Sequence, residues 1–234
     1  MESIEEMKIS VLKGDKLFNE NTPFSINISI PEKDESISNN STDLICIIDA
    51  SSSMRGRKMQ QVKESLKILM KLMSKNDRLA LILFSKTAET YFNLQYLTES
   101  NKKLLEKEID LIQTDYGTNI LSSLYVAINM IKEENVQKKD EERVTSIILL
   151  SDGCDTYNTE EQLADSLKKM TKGFGLSFTL HTFGYGYDYD AKIMNKLASL
   201  RDGSFYYVEN YNDVSEYFIS VLGGCFSVLS KKLI

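Results

Sequence analysis

Five oxygen-bearing side chains are spaced as a set that could bind a hard metal ion. Asp49, Ser51 and Ser53 occupy alternate positions directly after an apolar run, so a tight turn can direct one carboxylate and two hydroxyls toward one point. Thr118 precedes a helical pattern, and Asp152 follows another apolar run. Carboxylate and hydroxyl oxygens suit Mg²⁺, Mn²⁺ or Ca²⁺ and disfavour Zn²⁺. The expected chemistry is therefore binding of a divalent cation, with Mg²⁺ as the first choice.

The rest of the composition excludes several other chemistries. A single histidine, His181, rules out catalytic mechanisms and metal sites that need two. Cys46, Cys154 and Cys225 lack the paired spacing of a zinc site, and so few cysteines favour a reducing compartment. The formal net charge is −6 and no basic block is present, which argues against nucleic acid or an anionic membrane surface as the partner.

The donor residues lie between elements of an alternating strand and helix pattern. Apolar runs predict five buried strands and an edge strand: Leu44–Ile48, Leu79–Phe84, Thr90–Leu94 (the edge), Val144–Leu150, Leu176–Phe183 and Ser204–Val208. Amphipathic spacing predicts helices across Val62–Met73, Lys102–Leu111, Ile120–Ile131, Glu160–Met170, Asp190–Leu200 and Val214–Leu222, with Asp190 as a cap.

This order predicts an α/β fold of the Rossmann-like, doubly wound type, with a mostly parallel central sheet and helices on both faces. The runs Leu44–Ile48 and Leu79–Phe84 are apolar throughout, as expected when helices cover both faces of a sheet. Ligands of such sheets bind outside the carboxyl ends of the strands. The five donor residues all fall at predicted strand ends or helix starts, so we expect them to meet at that edge.

The two ends of the chain differ from this pattern. Residues 1–42 form a β-rich extension and linker, because Met7–Leu12 and Phe24–Ile30 alternate with the two-residue period of a half-exposed strand. Residues 43–222 form the main domain, and residues 223–234 are a tail with a possible strand. We expect the extension and the tail to build a small β appendage. With no signal peptide and no apolar run long enough to cross a membrane, the expected location is the cytoplasm, with no direct membrane insertion.

Taken together, these motifs resemble the metal-ion-dependent adhesion site of von Willebrand factor type A domains. Asp49-x-Ser51-x-Ser53, Thr118 and Asp152 followed by glycine fill all five motif positions in the family's order. The resemblance covers about residues 43–222. It implies that Ser51, Ser53 and Thr118 bind the metal directly, and that Asp49 and Asp152 bind it directly or through water. An Asp or Glu of a protein partner would complete the shell, so the resemblance implies a non-enzymatic interaction module.

Two further segments refine the resemblance. Ile148–Thr156 and His181–Gly186 look most like intracellular members, which include domains attached to RING-type ubiquitin ligases and inter-α-inhibitor-like chains. Three cysteines and one histidine cannot build a RING, so ligase activity is not implied. Ser52 stands where many members have glycine, which makes the turn at this position less permissive.

Five tyrosines fall in loops expected at the metal-bearing edge. Tyrosine is enriched at the centres of protein interfaces, because it combines a large apolar face with a polar tip. Partner contact is the sharper hypothesis, and ordinary loop tyrosines are the alternative. The candidates are Tyr116, Tyr157, Tyr185, Tyr187 and Tyr189.

Other interpretations fit the same residues. Asp49 and Ser51 could simply cap the following helix. The chain could be a structural subunit of a larger intracellular assembly with an incidental metal. It could also be a Mg²⁺-dependent phosphoryl-transfer or hydrolytic enzyme with Asp49 as nucleophile. Only Arg55 and Arg57 could then meet a phosphate, and neither a phosphate-binding GxxxxGK[ST] loop nor a GxSxG elbow is present.

Overall fold

The computed structural model describes residues 8–13, 24–29, 41–137, 143–186, 190–209 and 211–226. The chain divides into two compact units, residues 1–39 and residues 40–234. In the first unit, strand β1 (Lys8–Lys13) pairs antiparallel with strand β2 (Phe24–Ser29). These strands lie where the alternating pattern predicted them.

The second unit is built on a six-stranded sheet with the order β5-β4-β3-β6-β7-β8. The edge strand β5 runs antiparallel to β4, and the other neighbours are parallel. The mostly parallel sheet predicted from the sequence is therefore confirmed. The strands are β3 (Thr42–Asp49), β4 (Arg78–Phe84), β5 (Ala88–Tyr96), β6 (Val144–Ser151), β7 (Thr179–Tyr185) and β8 (Phe205–Val208).

Helices cover both faces of this sheet, and the core is accordingly split in two. One apolar cluster packs α1, α2 and α6 against the sheet, and the other packs α3, α4 and α5. The central strand β3 contributes to both clusters. Its side chains alternate between them: Leu44, Cys46 and Ile48 belong to the first, and Ile45 and Ile47 to the second. The helices are α1 (Arg57–Leu72), α2 (Glu99–Leu111), α3 (Ile120–Gln137), α4 (Glu160–Thr171), α5 (Ala191–Ser199) and α6 (Tyr211–Phe226).

Several element ends differ from the sequence expectation, and two of these differences bear on the tail and on the candidate site. Helix α6 continues through Phe226, so Cys225 and Phe226 are helical and do not begin a strand. Residues 227–234, the rest of the proposed tail strand, lie outside the described residues. Strand β7 continues to Tyr185 instead of ending at Phe183, because it pairs with β8 up to the Tyr185 and Val208 positions. None of the helices in the described ranges is long and apolar enough to cross a membrane.

Candidate metal centre

Asp49 is the last residue of β3, and its carboxylate is fixed from both sides. Its Oδ1 accepts a hydrogen bond from the Ser51 backbone N–H at 2.8 Å, and its Oδ2 accepts one from the Ser151 hydroxyl at the end of β6. The side chain is fully buried. The backbone beyond it is held as well, because the Ala50 N–H donates to the Phe84 carbonyl at 2.7 Å. Asp49 is thus a rigid carboxylate, shielded from bulk solvent, beneath the loop that follows it.

Burial raises the pKa of the Asp49 carboxyl to about 6. The hydrogen bonds from Ser151 and Ser51 lower it again in part, and the negative charge of Asp152 adds to the increase. The two carboxylates therefore repel each other across the end of the sheet. A positive ion between them would relieve that repulsion.

The loop after Asp49 brings two hydroxyls together. Ser51 Oγ and Ser53 Oγ are joined by a hydrogen bond of 2.9 Å, with Ser51 buried and Ser53 exposed. Ser51 makes no side-chain capping bond, and α1 begins only at Arg57 after the N-cap residue Gly56. Ser51 occupies the N-cap position of the short 3₁₀ helix Ser52–Met54, but its side chain caps neither that helix nor α1. Its hydroxyl faces Ser53 instead.

Thr118 is positioned by a glycine turn between two other loops. Gly117 has a φ of +84°, and a Cβ there would lie 3.1 Å from the Tyr157 hydroxyl and 3.2 Å from Lys86 Cβ, so both the backbone and the space favour glycine. The Thr118 carbonyl accepts the Thr156 N–H at 2.8 Å, which ties this loop to the one after β6. Thr118 itself is buried.

Asp152 follows β6 and forms an ion pair that the sequence did not suggest. Its Oδ2 lies 3.0 Å from Lys58 Nζ, and the two side chains are 2% and 23% exposed respectively. The next residue, Gly153, has a φ of +75° and packs against Met194 and Asp190. The Asp190 N–H donates to the Asp152 carbonyl at 2.9 Å, and Asp190 also caps α5 as predicted. Asp152 is thus held between α1 and the start of α5.

All five predicted donor residues lie at the carboxyl-end edge of the sheet, in three loops joined by backbone hydrogen bonds. No group of three or more His, Cys, Asp or Glu side chains in the described part of the chain could hold a metal ion. Any cation site here therefore depends on the hydroxyls of Ser51, Ser53 and Thr118.

The spacing of the two serine hydroxyls fits a small cation. In an octahedral shell with metal–oxygen distances of 2.0–2.1 Å, adjacent ligands lie about 2.9 Å apart, whereas the longer bonds of Ca²⁺ separate them by about 3.3–3.7 Å. The Ser51 and Ser53 oxygens, which hydrogen-bond to each other in this structure, lie at the same 2.9 Å separation, so both could bind one small ion without moving apart. Together with the carboxylates of Asp49 and Asp152 at the same edge of the sheet, these oxygens are chemically suited to Mg²⁺ or Mn²⁺.

Sequence reasoning missed Lys58. The available signal was a lysine at the second position of a helix whose first turn has no acidic residue. A cation at that end of a helix is opposed by the helix dipole and calls for a partner. That the partner would be Asp152, 94 positions further along the chain, follows only from the fold.

The five candidate tyrosines do not form one surface. Tyr116 and Tyr157 are 75% and 50% exposed, so they are accessible to a partner. Tyr185 is a correction: it belongs to β7, is fully buried, and donates a hydrogen bond from its hydroxyl to Ser65 Oγ at 3.0 Å. It cannot contact a partner in this arrangement. Tyr187 and Tyr189 lie outside the described residues.

Comparisons of the sequence with known proteins find one domain family and several relatives. A family model of the von Willebrand factor type A domain matches residues 43–219. The bovine inter-alpha-trypsin inhibitor heavy chain H4 is 30% identical over 166 residues, which is 70% of this chain and 18% of that protein. An uncharacterized protein of Synechocystis is 27% identical over 176 residues. The chain spans less than half the length of either relative, 18% and 40% respectively.

Solved structures show the same fold. The von Willebrand factor type A protein from Catenulispora acidiphila superposes with a TM-score of 0.69 at 18% identity, covering 92% of this chain and 48% of that one. The proximal thread matrix protein 1 of the mussel byssus, in a structure with a zinc-occupied MIDAS motif, superposes with a TM-score of 0.58 at 21% identity. That alignment covers 80% of this chain and 46% of the mussel protein.

Proposed function

Since the chain belongs to the von Willebrand factor type A domain family, a family of protein-interaction modules, we propose that it binds an acidic residue of a protein partner through a divalent cation at the carboxyl-end edge of its sheet. The observation that carries this proposal is that the Ser51 and Ser53 hydroxyls, hydrogen-bonded to each other at 2.9 Å, lie at the same edge of the sheet as the buried carboxylates of Asp49 and Asp152. The similar mussel protein, whose motif holds zinc, supports a cation at the equivalent place.

Each donor residue has a distinct part in the proposal. Ser51, Ser53 and Thr118 supply neutral oxygens directly to the cation. Asp49 and Asp152 supply negative charge that balances a divalent ion, and they bind it directly or through water. Their two charges leave the site without an excess of negative charge, so a third carboxylate from outside is still attracted. When bound, the cation offers that carboxylate a coordination position; Mg²⁺ is our first choice of ion, and Mn²⁺ our second.

Exposed aromatic side chains beside the site support a protein as the partner. Tyr116 and Tyr157 flank the Thr118 loop, and both offer large exposed faces. The Tyr157 hydroxyl packs over Gly117, which holds the ring close to that loop. A partner whose Asp or Glu reaches the cation would cover these rings. We therefore assign them to the rim of the interface.

The complete burial of Asp49 favours a non-enzymatic role. A carboxylate nucleophile must reach its substrate, yet Asp49 is fully buried and both of its oxygens accept hydrogen bonds. The single histidine, His181, accepts the Ser204 N–H at its Nδ1 and lies within β7. We therefore propose binding, and not turnover, as the function of this edge.

Direct metal titration tests whether the candidate site binds a divalent cation. Mn²⁺ binding followed by electron paramagnetic resonance should weaken at least about tenfold in Asp49→Asn, because a charge in the site is lost. Asp165→Asn, an exposed change on α4, is the matched control and should bind as the wild type does. Ser53→Ala removes a donor without disturbing the core and should also weaken binding. Equal Mn²⁺ affinity in all four proteins would overturn the proposal.

Partner recruitment is tested by affinity capture in Mg²⁺ and in EDTA. Proteins retained by the wild type in Mg²⁺ should be lost in EDTA and lost with Ser53→Ala. They should be kept by Asp165→Asn. Proteins that remain bound in EDTA would show that partner binding does not need a cation, even if the site itself binds Mn²⁺.

A further inference from the structure

Lys58 holds one of the two oxygens that Asp152 can offer to a cation. Its Nζ lies 3.0 Å from Asp152 Oδ2, and the carboxylate is almost completely buried. This contact joins the first turn of α1 to the loop after β6. An ammonium is therefore bound to a carboxylate that the proposed function assigns to a divalent ion.

No residue in the first turn of α1 stabilises the positive charge of Lys58. The first turn of α1 contains Arg57 and Lys58 and no acidic residue, so both charges oppose the positive end of the helix dipole. The N-cap residue, Gly56, makes no side-chain capping bond. The favourable partner for the Lys58 ammonium is the Asp152 carboxylate across the sheet edge.

The surrounding structure leaves room for this contact. Gly186, directly after β7, has a φ of +87°, and a Cβ at that position would overlap Lys58 Cε. The aliphatic part of Lys58 therefore runs directly over the Gly186 backbone. The side chain remains 23% exposed, so it has a route outward.

From this geometry we infer that Lys58 is a tethered cation that competes with the divalent ion for Asp152. This inference rests on the proposed function. Two cations on one carboxylate repel each other at short range. A divalent ion that takes Asp152 must therefore displace the Lys58 ammonium, and its apparent affinity is reduced by the strength of the ion pair.

The test compares Mn²⁺ affinity in charge-matched variants. Lys58→Met keeps the aliphatic chain and removes the charge, and we expect it to bind Mn²⁺ about tenfold more tightly than the wild type. Lys67→Met is the control: it removes an ammonium from the same helix that is also paired with a carboxylate, Asp110, at 2.7 Å. Its affinity should not change. Lys58→Arg keeps the charge and should stay within a few-fold of the wild type.

The outcomes separate this inference from the proposed function. If the wild type binds Mn²⁺ and Lys58→Met binds it equally or more weakly, Lys58 does not compete, while the cation site stands. If neither protein binds Mn²⁺, both ideas are overturned. Lys58→Gln repeats the comparison should Lys58→Met fail to fold, which thermal unfolding will reveal.

Discussion

The Ser151 hydroxyl donates a hydrogen bond to Asp49 Oδ2, which joins the ends of the neighbouring strands β6 and β3. The same hydroxyl oxygen accepts the Gly153 N–H at 2.8 Å. One buried serine thus orders both the Asp49 carboxylate and the backbone that carries Asp152. The candidate site depends on this residue even though Ser151 is not among its proposed ligands.

Replacing Ser151 with Ala should destabilise the fold. The change leaves a carboxylate oxygen and a backbone N–H without their buried partner, and we expect it to lower the free energy of unfolding by about 2–3 kcal/mol. Urea denaturation measures this. Ser199→Ala is the control, since its exposed hydroxyl only bonds the Asn195 carbonyl within α5, and it should change stability by less than about 0.5 kcal/mol. Equal midpoints for the two variants would contradict the bridging role.

Gly153 should tolerate a side chain far less well than Gly173. Both have a positive φ, +75° and +82°, so an alanine at either position costs about 1–2 kcal/mol of backbone strain. A Cβ at Gly153 would also lie 2.9 Å from Met194 Cγ and 3.0 Å from the Asp190 carbonyl oxygen, whereas nothing lies within 4 Å of a Cβ at Gly173. We expect Gly153→Ala to destabilise by about 1–3 kcal/mol more than Gly173→Ala. Similar values in thermal unfolding would mean that the loop after β6 relaxes easily.

Tyr185 should behave as a core residue. Tyr185→Phe loses only the bond to Ser65 and should cost about 1 kcal/mol, while Tyr185→Ser also loses the ring and should cost about 3–5 kcal/mol. Tyr157→Ser, at a half-exposed ring, should cost less than about 0.5 kcal/mol. Chemical denaturation of the three variants checks this. A small effect of Tyr185→Ser would return Tyr185 to the list of surface candidates.

His181 should titrate well below an ordinary histidine. Burial lowers its pKa to about 4, and protonation would also remove the acceptor at Nδ1 that the Ser204 N–H uses. Between pH 6.5 and 4 the unfolded chain binds a proton that the folded chain does not, so this contribution to stability is complete above pH 6.5 and is lost as the pH falls. The slope is at most about 1.4 kcal/mol per pH unit.

Because His181 is the only histidine, its ring proton resonances give the pKa without assignment. We expect a midpoint near 4 in the folded protein, and a flatter stability profile across this pH range in His181→Gln. A midpoint near 6.5 would mean that the partial burial of the ring does not lower its pKa.

Much of the site was predictable because its residues follow local rules. Asp49 directly follows the apolar run Leu44–Ile48 and Asp152 comes two positions after Leu150, and the carboxyl ends of parallel strands meet at one edge. Amphipathic spacing likewise predicted the helices that lead away from Ser53 and Thr118. The extent of an apolar strand and the phase of a helix are set by neighbouring residues, and the sequence alone therefore determined the fold class and the edge where these oxygens lie.

Contacts between distant residues were decided only by the tertiary structure. Lys58 and Asp152 are 94 positions apart, and Ser151 and Asp49 are 102 apart. The second pair exists because β6 lies beside β3 in a particular register, and the first also needs the start of α1 at the same edge of the sheet; no local pattern specifies either arrangement. The burial of Tyr185 has the same origin, since pairing with β8 extends β7 past the point where its apolar run suggested a loop. Side-chain pairing across a sheet depends on strand order and register, and these are fixed only when the whole core packs.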